Sequence, residues 1–286
     1  MTDTFTVACV QNCAGPKTEP NLAECAEMVR AAAGRGAHFV CLPEYFTGLD
    51  LRGNLLLPEA FPEEAHPALP LFSDLARELD VWLLLGSLAI EAGPERIVNR
   101  GYLLDASGSV RARYDKIFLF DVDLADGESY RESATIVPGS AAVVADLPWG
   151  RLGMSICYDL RFAQLYRALA QAGTDFLTVP AAFTKTTGQA HWHVLLRARA
   201  IETGCYVIAP CQSGVHAAGR GTYGHSLVVA PWGEVLADGG EEPGVVVAEI
   251  DPTQVAKARR MIPSLQHDRD FAVPEAAPPL QAVGGD

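Results

Sequence analysis

Short, almost wholly apolar runs alternate along this chain with longer segments whose apolar positions recur at helical spacing. Thr4 to Gln11 reads as a strand. Asn21 then reads as the cap of a helix with apolar positions Leu22, Cys25, Met28, Val29 and Ala32, stopped by Gly34 and Gly36. Ala37 to Leu42 is a buried strand ended by Pro43-Glu44, a helix follows near Ala68 to Leu79, and Val81 to Ser87 is another apolar run. Ile97 to Leu104 and Val110 to Tyr114 flank Asp105-Ala106-Ser107-Gly108, a hairpin signal. Ala141 to Leu147 and Leu152 to Ile156 flank Pro148-Trp149-Gly150; Tyr223 to Pro231 and Glu234 to Ala237 flank Pro231-Trp232-Gly233. Asp175 to Val179, Cys205 to Pro210 and Val245 to Ile250 read as strands; His191 to Glu202 and Pro252 to Arg260 read as helices.

Apolar strands alternating with amphipathic helices predict an α/β layer structure, and the hairpins make its sheets mixed. Two sheets packed face to face with helices outside would use every strand. The pair of Pro-Trp-Gly turns hints at two similar halves. No linker separates them, so residues 1–271 are read as one domain. The tail from Ala272, rich in Ala, Pro and Gly, is expected to be disordered or to lie over a partner subunit.

With 49% hydrophobic residues the 286-residue chain has ample material for a core. No apolar run approaches membrane-spanning length, and Met1-Thr2-Asp3-Thr4-Phe5 does not begin a secretory signal. The net charge of −13 argues against nucleic acid and anionic membranes as partners. The seven cysteines, 9, 13, 25, 41, 157, 205 and 211, are odd in number and form no CxxC pair, which predicts a reducing, cytoplasmic setting. His191 and His193 fall on different helix faces and read as structural; no metal and no cofactor is expected. Lysine is rare, four residues against eighteen arginines, which hints that Lys116 or Lys257 is needed as an ammonium, although drift would also leave a few lysines.

The most informative segment is Gly153-Met154-Ser155-Ile156-Cys157-Tyr158-Asp159-Leu160-Arg161-Phe162. A strand from Arg151 to Ile156 ends there, and a helix with apolar positions Phe162, Leu165, Tyr166 and Leu169 begins. Cys157 sits at the corner, where backbone N–H groups and the helix N-terminus would favour a thiolate and an oxyanion. The alternative is a buried structural cysteine. Glu44 and Lys116 also lie just past strand ends, where α/β sites assemble. A carboxylate, an ammonium and a thiol are the parts needed for acyl transfer from an amide.

At this point a family emerges. Leu42-Pro43-Glu44, Tyr114 to Asp121, Gly153 to Phe162, Pro180-Ala181-Ala182-Phe183-Thr184, His191-Trp192 to Glu202, and Tyr223-Gly224-His225-Ser226 with Pro231 to Val235 resemble the carbon–nitrogen hydrolases of the nitrilase superfamily over nearly the full length. The resemblance implies an αββα sandwich that pairs into a homodimer or a dimer of dimers. It implies Glu44 as general base, Lys116 as oxyanion stabiliser, Cys157 as nucleophile, the Tyr158 N–H as second oxyanion donor and Glu132 as an auxiliary glutamate. Phe118 stands where the family commonly has His, and Ala163-Gln164 replaces a common Pro-Glu. Tyr158-Asp159 after the nucleophile is similar to the amidase branches rather than to true nitrilases. The segments from Phe183 to Arg199 resemble the branch that hydrolyses deaminated glutathione, with the ω-amidases acting on 2-oxoglutaramate close by. The expected substrate is thus a small 2-oxo acid amide; Arg161, Phe183 and Thr184 are candidate binding residues, Arg161 for a carboxylate unless it pairs with Asp159. Competing readings are a carbamoyl-amino-acid hydrolase, a Cys–His hydrolase using His225 or His191, and a non-catalytic binding module.

Overall fold

The computed structural model describes residues 4–53, 55–123 and 129–272. The tail from 273 lies outside them. The first half runs β1 (Phe5–Gln11), α1 (Thr18–Gly34), β2 (Phe39–Cys41), β3 (Asp50–Arg52), β4 (Leu55–Leu57), α2 (Ala68–Leu79), β5 (Trp82–Glu91), β6 (Ile97–Leu104), β7 (Val110–Asp115), β8 (Asp121–Asp123) and β9 (Ser129–Arg131). The second runs β10 (Val143–Leu147), β11 (Gly150–Met154), α3 (Ala163–Gln171), β12 (Phe176–Thr178), α4 (Lys185–Thr203), β13 (Tyr206–Ala209), β14 (Ser213–Val215), β15 (Gly221–Tyr223), β16 (Leu227–Val229), β17 (Val235–Asp238), β18 (Gly244–Ile250) and α5 (Thr253–Met261).

Two six-stranded sheets have the orders β18-β1-β2-β5-β6-β7 and β10-β11-β12-β13-β16-β17. Reading across either sheet, the pairings are antiparallel, parallel, parallel, antiparallel, antiparallel. The halves are therefore alike in topology. The Pro-Trp-Gly turns do not mark them, because both turns lie in the second sheet, at its opposite edges. The last strand of the chain, β18, completes the first sheet beside β1 and ties the two halves together.

Side-chain alternation builds four layers. Phe5, Val7, Cys9, Phe39, Cys41 and Leu84 of the first sheet meet Leu152, Met154, Phe176, Tyr206 and Ile208 of the second. The opposite parity, Ala8, Val10, Val40, Leu83 and Leu85, faces α1 and α2. On the other side Leu177, Val207 and Val229 face α3 and α4. Strands covered on both faces have no polar side to show, which is why they read as continuous apolar runs. The expected αββα sandwich is what the chain forms.

Several boundaries differ from expectation. Helix α1 begins at Thr18, and Asn21 lies inside it. Its side chain folds back, accepting from Gly15 N and donating to the carbonyls of Gly15, Lys17 and Thr47. An asparagine three residues into a helix thus anchors two loops rather than capping. Helix α4 begins six residues before His191. The ribbons β3–β4, β8–β9 and β14–β15 were not expected; strands of three residues are too short for alternation to reveal.

Candidate active site

Each reacting group is set by the end of a strand. Beyond β2 the backbone of Leu42 and Pro43 presses against Gly86 of β5, where a Cβ would stand 2.1 Å from the Leu42 oxygen. Only glycine admits that approach, and it brings Glu44 over the sheet edge. Glu44 is 3% exposed. Its Oε1 accepts from Asn99 Nδ2 at 2.8 Å and from Lys116 Nζ at 3.1 Å; its Oε2 accepts from Ala182 N at 2.9 Å. Lys116 follows β7 and is fully buried. Gly139 allows a similar approach, its N–H donating to the Lys116 carbonyl at 2.8 Å.

Lys116 Nζ also donates to Glu132 Oε1 at 3.0 Å and lies 2.9 Å from Oε2. Glu132 Oε2 in turn accepts from Phe120 N at 2.7 Å. Burial opposes the Lys116 charge, but Glu132 and Glu44 outweigh it and hold the ammonium well above the ordinary lysine range. Burial pushes the Glu132 carboxyl up, while Lys116 pulls it back.

Cys157 opens a tight turn of 3-10 geometry, Cys157–Arg161, and takes a left-handed φ of 49°. Non-glycine residues rarely occupy that region, and such strain gathers at functional sites. The Cys157 N–H donates to the Pro180 carbonyl at 2.9 Å. Burial and the hydrogen-bonded Glu44 carboxylate push the thiol well above its ordinary value. The surroundings thus oppose the thiolate that the corner alone would favour, and they fit the expected role of Glu44 as the base that takes the thiol proton. The physical reason is local. Helix α3 starts only at Ala163, so no α-helical N-terminus stands behind the sulfur, and two carboxylates face it against one ammonium.

Asp159, which sequence reasoning offered as a partner for Arg161, does something else. Fully buried, it accepts from Tyr114 Oη at 2.7 Å, Ile156 N at 2.8 Å and Phe118 N at 2.9 Å. It therefore ties the segment carrying Lys116 to the turn carrying Cys157. Burial pushes its carboxyl up to about 6. Phe118 stacks on Phe162 at 3.6 Å, so this position packs its side chain instead of making a polar contact.

A cavity opens over Cys157, lined by Glu44, Lys116, Glu132, Tyr158, Phe183 and Thr184 among the expected residues. The short ribbons supply its walls: Leu55, Leu56 and Leu57 from β4, Tyr130 from β9, Gly221 and Thr222 from β15. Arg161 does not line it. Its guanidinium packs 5.6 Å from the Tyr158 ring and 5.5 Å from the Phe183 ring, both of which do. Among the described residues no carboxylate pairs with Arg161; its polar contact is His191 Nδ1 at 3.4 Å. Arg220, Tyr45 and Thr187 also line the cavity and were not singled out from sequence. Arg220 lies over the Tyr130 ring at 4.9 Å.

The histidines offered for a Cys–His site lie elsewhere. His225 Nδ1 meets Asp238 Oδ1 at 2.8 Å, and neither His225 nor His191 lines the cavity. His193 joins His225 and Asp238 in a cluster whose possible ligand atoms lie within 4.8 Å of one another. No helix among the described residues is long and apolar enough to cross a membrane.

Comparison with known proteins agrees with this geometry. The carbon-nitrogen hydrolase family pattern matches residues 6–260. The deaminated glutathione amidase of Synechocystis sp. is 43% identical over 269 residues, covering 92% of this chain and 97% of that protein. The NitFhit protein of C. elegans superposes with a TM-score of 0.85 at 36% identity; the match covers 94% of this chain and 66% of that longer one. An amidase from Nesterenkonia sp. AN1 superposes with a TM-score of 0.74 at 26% identity, over 90% of this chain and 98% of that one, and a mutant of it carries acrylamide added at the active-site cysteine. By fold, matched length and relatives, this chain belongs to the carbon-nitrogen hydrolase family, as a nitrilase-superfamily amidase.

Proposed function

We propose that the protein hydrolyses the amide bond of deaminated glutathione through a thioester on Cys157, with Glu44 and Lys116 completing the machinery. The carrying observation is the buried Glu44–Lys116–Glu132 network set beside Cys157 in the wall of a cavity. Glu44 takes the thiol proton as sulfur attacks the amide carbon. Lys116 and the Tyr158 N–H hold the oxyanion. The tetrahedral centre collapses, the C–N bond breaks, and Glu44 passes its proton to the leaving amine. A water then attacks the thioester with Glu44 again as base, releasing acid and thiol. Glu132 holds the Lys116 ammonium in place.

The substrate reading is supported by relatives named deaminated glutathione amidase and by two cations. Deaminated glutathione bears a carboxylate at each end, one beside its 2-oxo group and one on its glycine. Arg161, packed on the cavity rings Tyr158 and Phe183 with no carboxylate partner among the described residues, suits the first. Arg220, lining the cavity, suits the second. Local positive charge is needed because the chain carries −13 overall. The products are 2-oxoglutarate and cysteinylglycine.

The test compares kcat/KM for deaminated glutathione, 2-oxoglutaramate, a neutral aliphatic amide and an aliphatic nitrile on wild type and Arg161→Leu. Deaminated glutathione should lead, with 2-oxoglutaramate poorer, and Arg161→Leu should reduce the preference for anions, leaving the part owed to Arg220. A neutral amide winning on wild type, or an unchanged preference in the variant, refutes the assignment. Leadership by 2-oxoglutaramate would make the protein an ω-amidase.

We also infer a homodimer, or a dimer of dimers, and a cytoplasmic setting. Val194 and Ile201 of α4 stand exposed, as do Trp232 and Leu236 at the nearby hairpin, an apolar surface suited to a second copy. Five of the seven free thiols are buried. Sedimentation at twice the chain mass or above supports the assembly, and monomer sedimentation overturns it.

A further inference from the structure

We propose that the Tyr45 hydroxyl is a substrate-binding group, donating a hydrogen bond to an oxygen of the acyl chain of the amide held against Cys157. This deepens the reading of the site as an amidase for 2-oxo acid amides and rests on it.

Tyr45 is 2% exposed and lines the cavity beside Glu44. Its hydroxyl is buried and has no hydrogen-bond partner among the described residues. The same is true of single polar atoms in Asn12, Thr47, His66, Arg96, Asn99, Tyr102 and Ser213, but none of those residues lines this cavity. An orphaned hydroxyl is a cost to folding that phenylalanine would avoid in the same space. Its retention in the wall of the cavity that holds the nucleophile calls for a partner that arrives from outside.

The ring is held to meet one. Tyr45 takes a left-handed φ of 53°. Its N–H donates to Ser87 Oγ at 3.2 Å, and its carbonyl accepts from Gln212 Nε2 at 2.9 Å. The backbone is thus fixed on both sides, and the strained φ aims the side chain. Tyr45 packs in one apolar cluster with Leu49, Leu55 and Leu57, which line the same cavity, and its hydroxyl lies within electrostatic reach of Glu132, Glu44, Lys116 and Cys157. Burial, then the nearby Glu132 and Glu44, keep the phenol neutral, so it acts as a donor. The scissile carbonyl already has Lys116 and the Tyr158 N–H. An apolar wall suits the methylenes of an acyl chain, and a single donor in it selects a chain that carries an oxygen. In a 2-oxo acid amide that oxygen is the 2-oxo or the carboxylate oxygen.

The experiment uses Tyr45→Phe, with 2-oxoglutaramate and pentanamide as substrates. Pentanamide has the same chain length and no acyl oxygen beyond the scissile carbonyl. Losing one donor to such an oxygen should lower kcat/KM for 2-oxoglutaramate roughly 10- to 100-fold, with pentanamide changed less than about twofold. The melting temperature of the free variant should match or exceed that of wild type, because an unpartnered buried hydroxyl has been removed. A purely structural hydroxyl would lower it. Unchanged turnover of 2-oxoglutaramate, equal losses on both substrates, or a lowered melting temperature each overturns the proposal. Wild type preferring pentanamide would sink the 2-oxo acid reading, a result visible before any variant is made. The ratio of the two substrates, variant against wild type, judges Tyr45 in either case.

Discussion

Replacing Lys116 by methionine, which has similar bulk and no charge, should unmask a repulsion that the ammonium now neutralises. Nζ lies 3.1 Å from Glu44 Oε1 and 2.9 Å from Glu132 Oε2. Those oxygens are therefore at most about 6 Å apart, and two bare carboxylates there repel by about 3 kcal/mol at an effective dielectric near 20. Counting the desolvation left uncompensated, Lys116→Met should lose about 3–5 kcal/mol of stability at pH 8. The sign of the pH dependence follows. With the ammonium gone, mutual repulsion makes the carboxylate pair hold a proton more tightly in the folded variant than in the unfolded chain. The stability gap to wild type should therefore narrow as pH falls from 8 toward 5.5. In wild type the Lys116 value is raised, so its contribution is fully present at both pH values and is lost only in strong alkali. Urea unfolding at pH 8 and pH 5.5, on wild type, Lys116→Met and Lys116→Met with Glu132→Gln, measures the effect. The double variant should recover part of the loss at pH 8, since only one carboxylate remains. Turnover should fall at least about 10²-fold in both. A single variant as stable as wild type at pH 8, or a gap that neither acid nor Glu132→Gln reduces, would refute the charge balance.

Other expectations follow from the same geometry. Cys157→Ala should abolish hydrolysis and form no acrylamide adduct by intact mass, while its melting temperature stays near wild type, since only one sulfur atom is lost from the cavity wall. Glu44→Gln should give no burst of ammonia from 2-oxoglutaramate in a stopped-flow assay, because the thiol keeps its proton; a full burst with stalled turnover would confine Glu44 to deacylation. Lys116→Arg should fail nearly as badly as Lys116→Gln in steady-state assays, because a fully buried site shaped for a compact ammonium does not admit a planar fork. Asp159→Asn should cost about 1–3 kcal/mol in urea, since an amide NH₂ must face one of three donors. With its carboxyl pushed up to about 6, wild type also loses stability as pH rises from about 4 to about 6, and the variant should lack that slope.

The layered fold could be read because its strands are covered on both faces and so show as apolar runs, and because α2 keeps its stripe from Ala68 to Leu79. Where elements serve the cavity, that signal fades. The first turns of α4 carry Thr184, Thr187 and Gly188, chosen for the site and for Tyr223, whose ring a Cβ at residue 188 would strike at 2.3 Å. A helix start without apolar residues is invisible to periodicity. The ribbons β3–β4, β8–β9 and β14–β15 are likewise short because their task is to wall a pocket, and each owes its place to the sheets beneath.

The same division runs through the site. Glu44, Lys116 and Cys157 could be picked out because each ends a strand, and because the motifs around them resemble a known family. Asp159 sat in plain view beside Cys157 and was still misread, since its partners come from residues 114–118, distant in sequence. Its place in an apolar stretch, between Ile156 and Phe162, was the available signal: a carboxylate carried into such surroundings must be saturated with donors. Tyr45 and Arg220 gave no such signal, for a tyrosine after a catalytic glutamate or an arginine in a loop is unremarkable until the cavity shows what each faces. For the sulfur, the corner and the carboxylate base point opposite ways. A strand-to-helix corner suggests a thiolate only if the helix dipole is the nearest field. Here two carboxylates and one ammonium are nearer, the turn is not yet α-helical, and the local balance is negative. A protonated thiol under a carboxylate base then follows from counting charges within the site, a count that the overall charge of −13 does not decide.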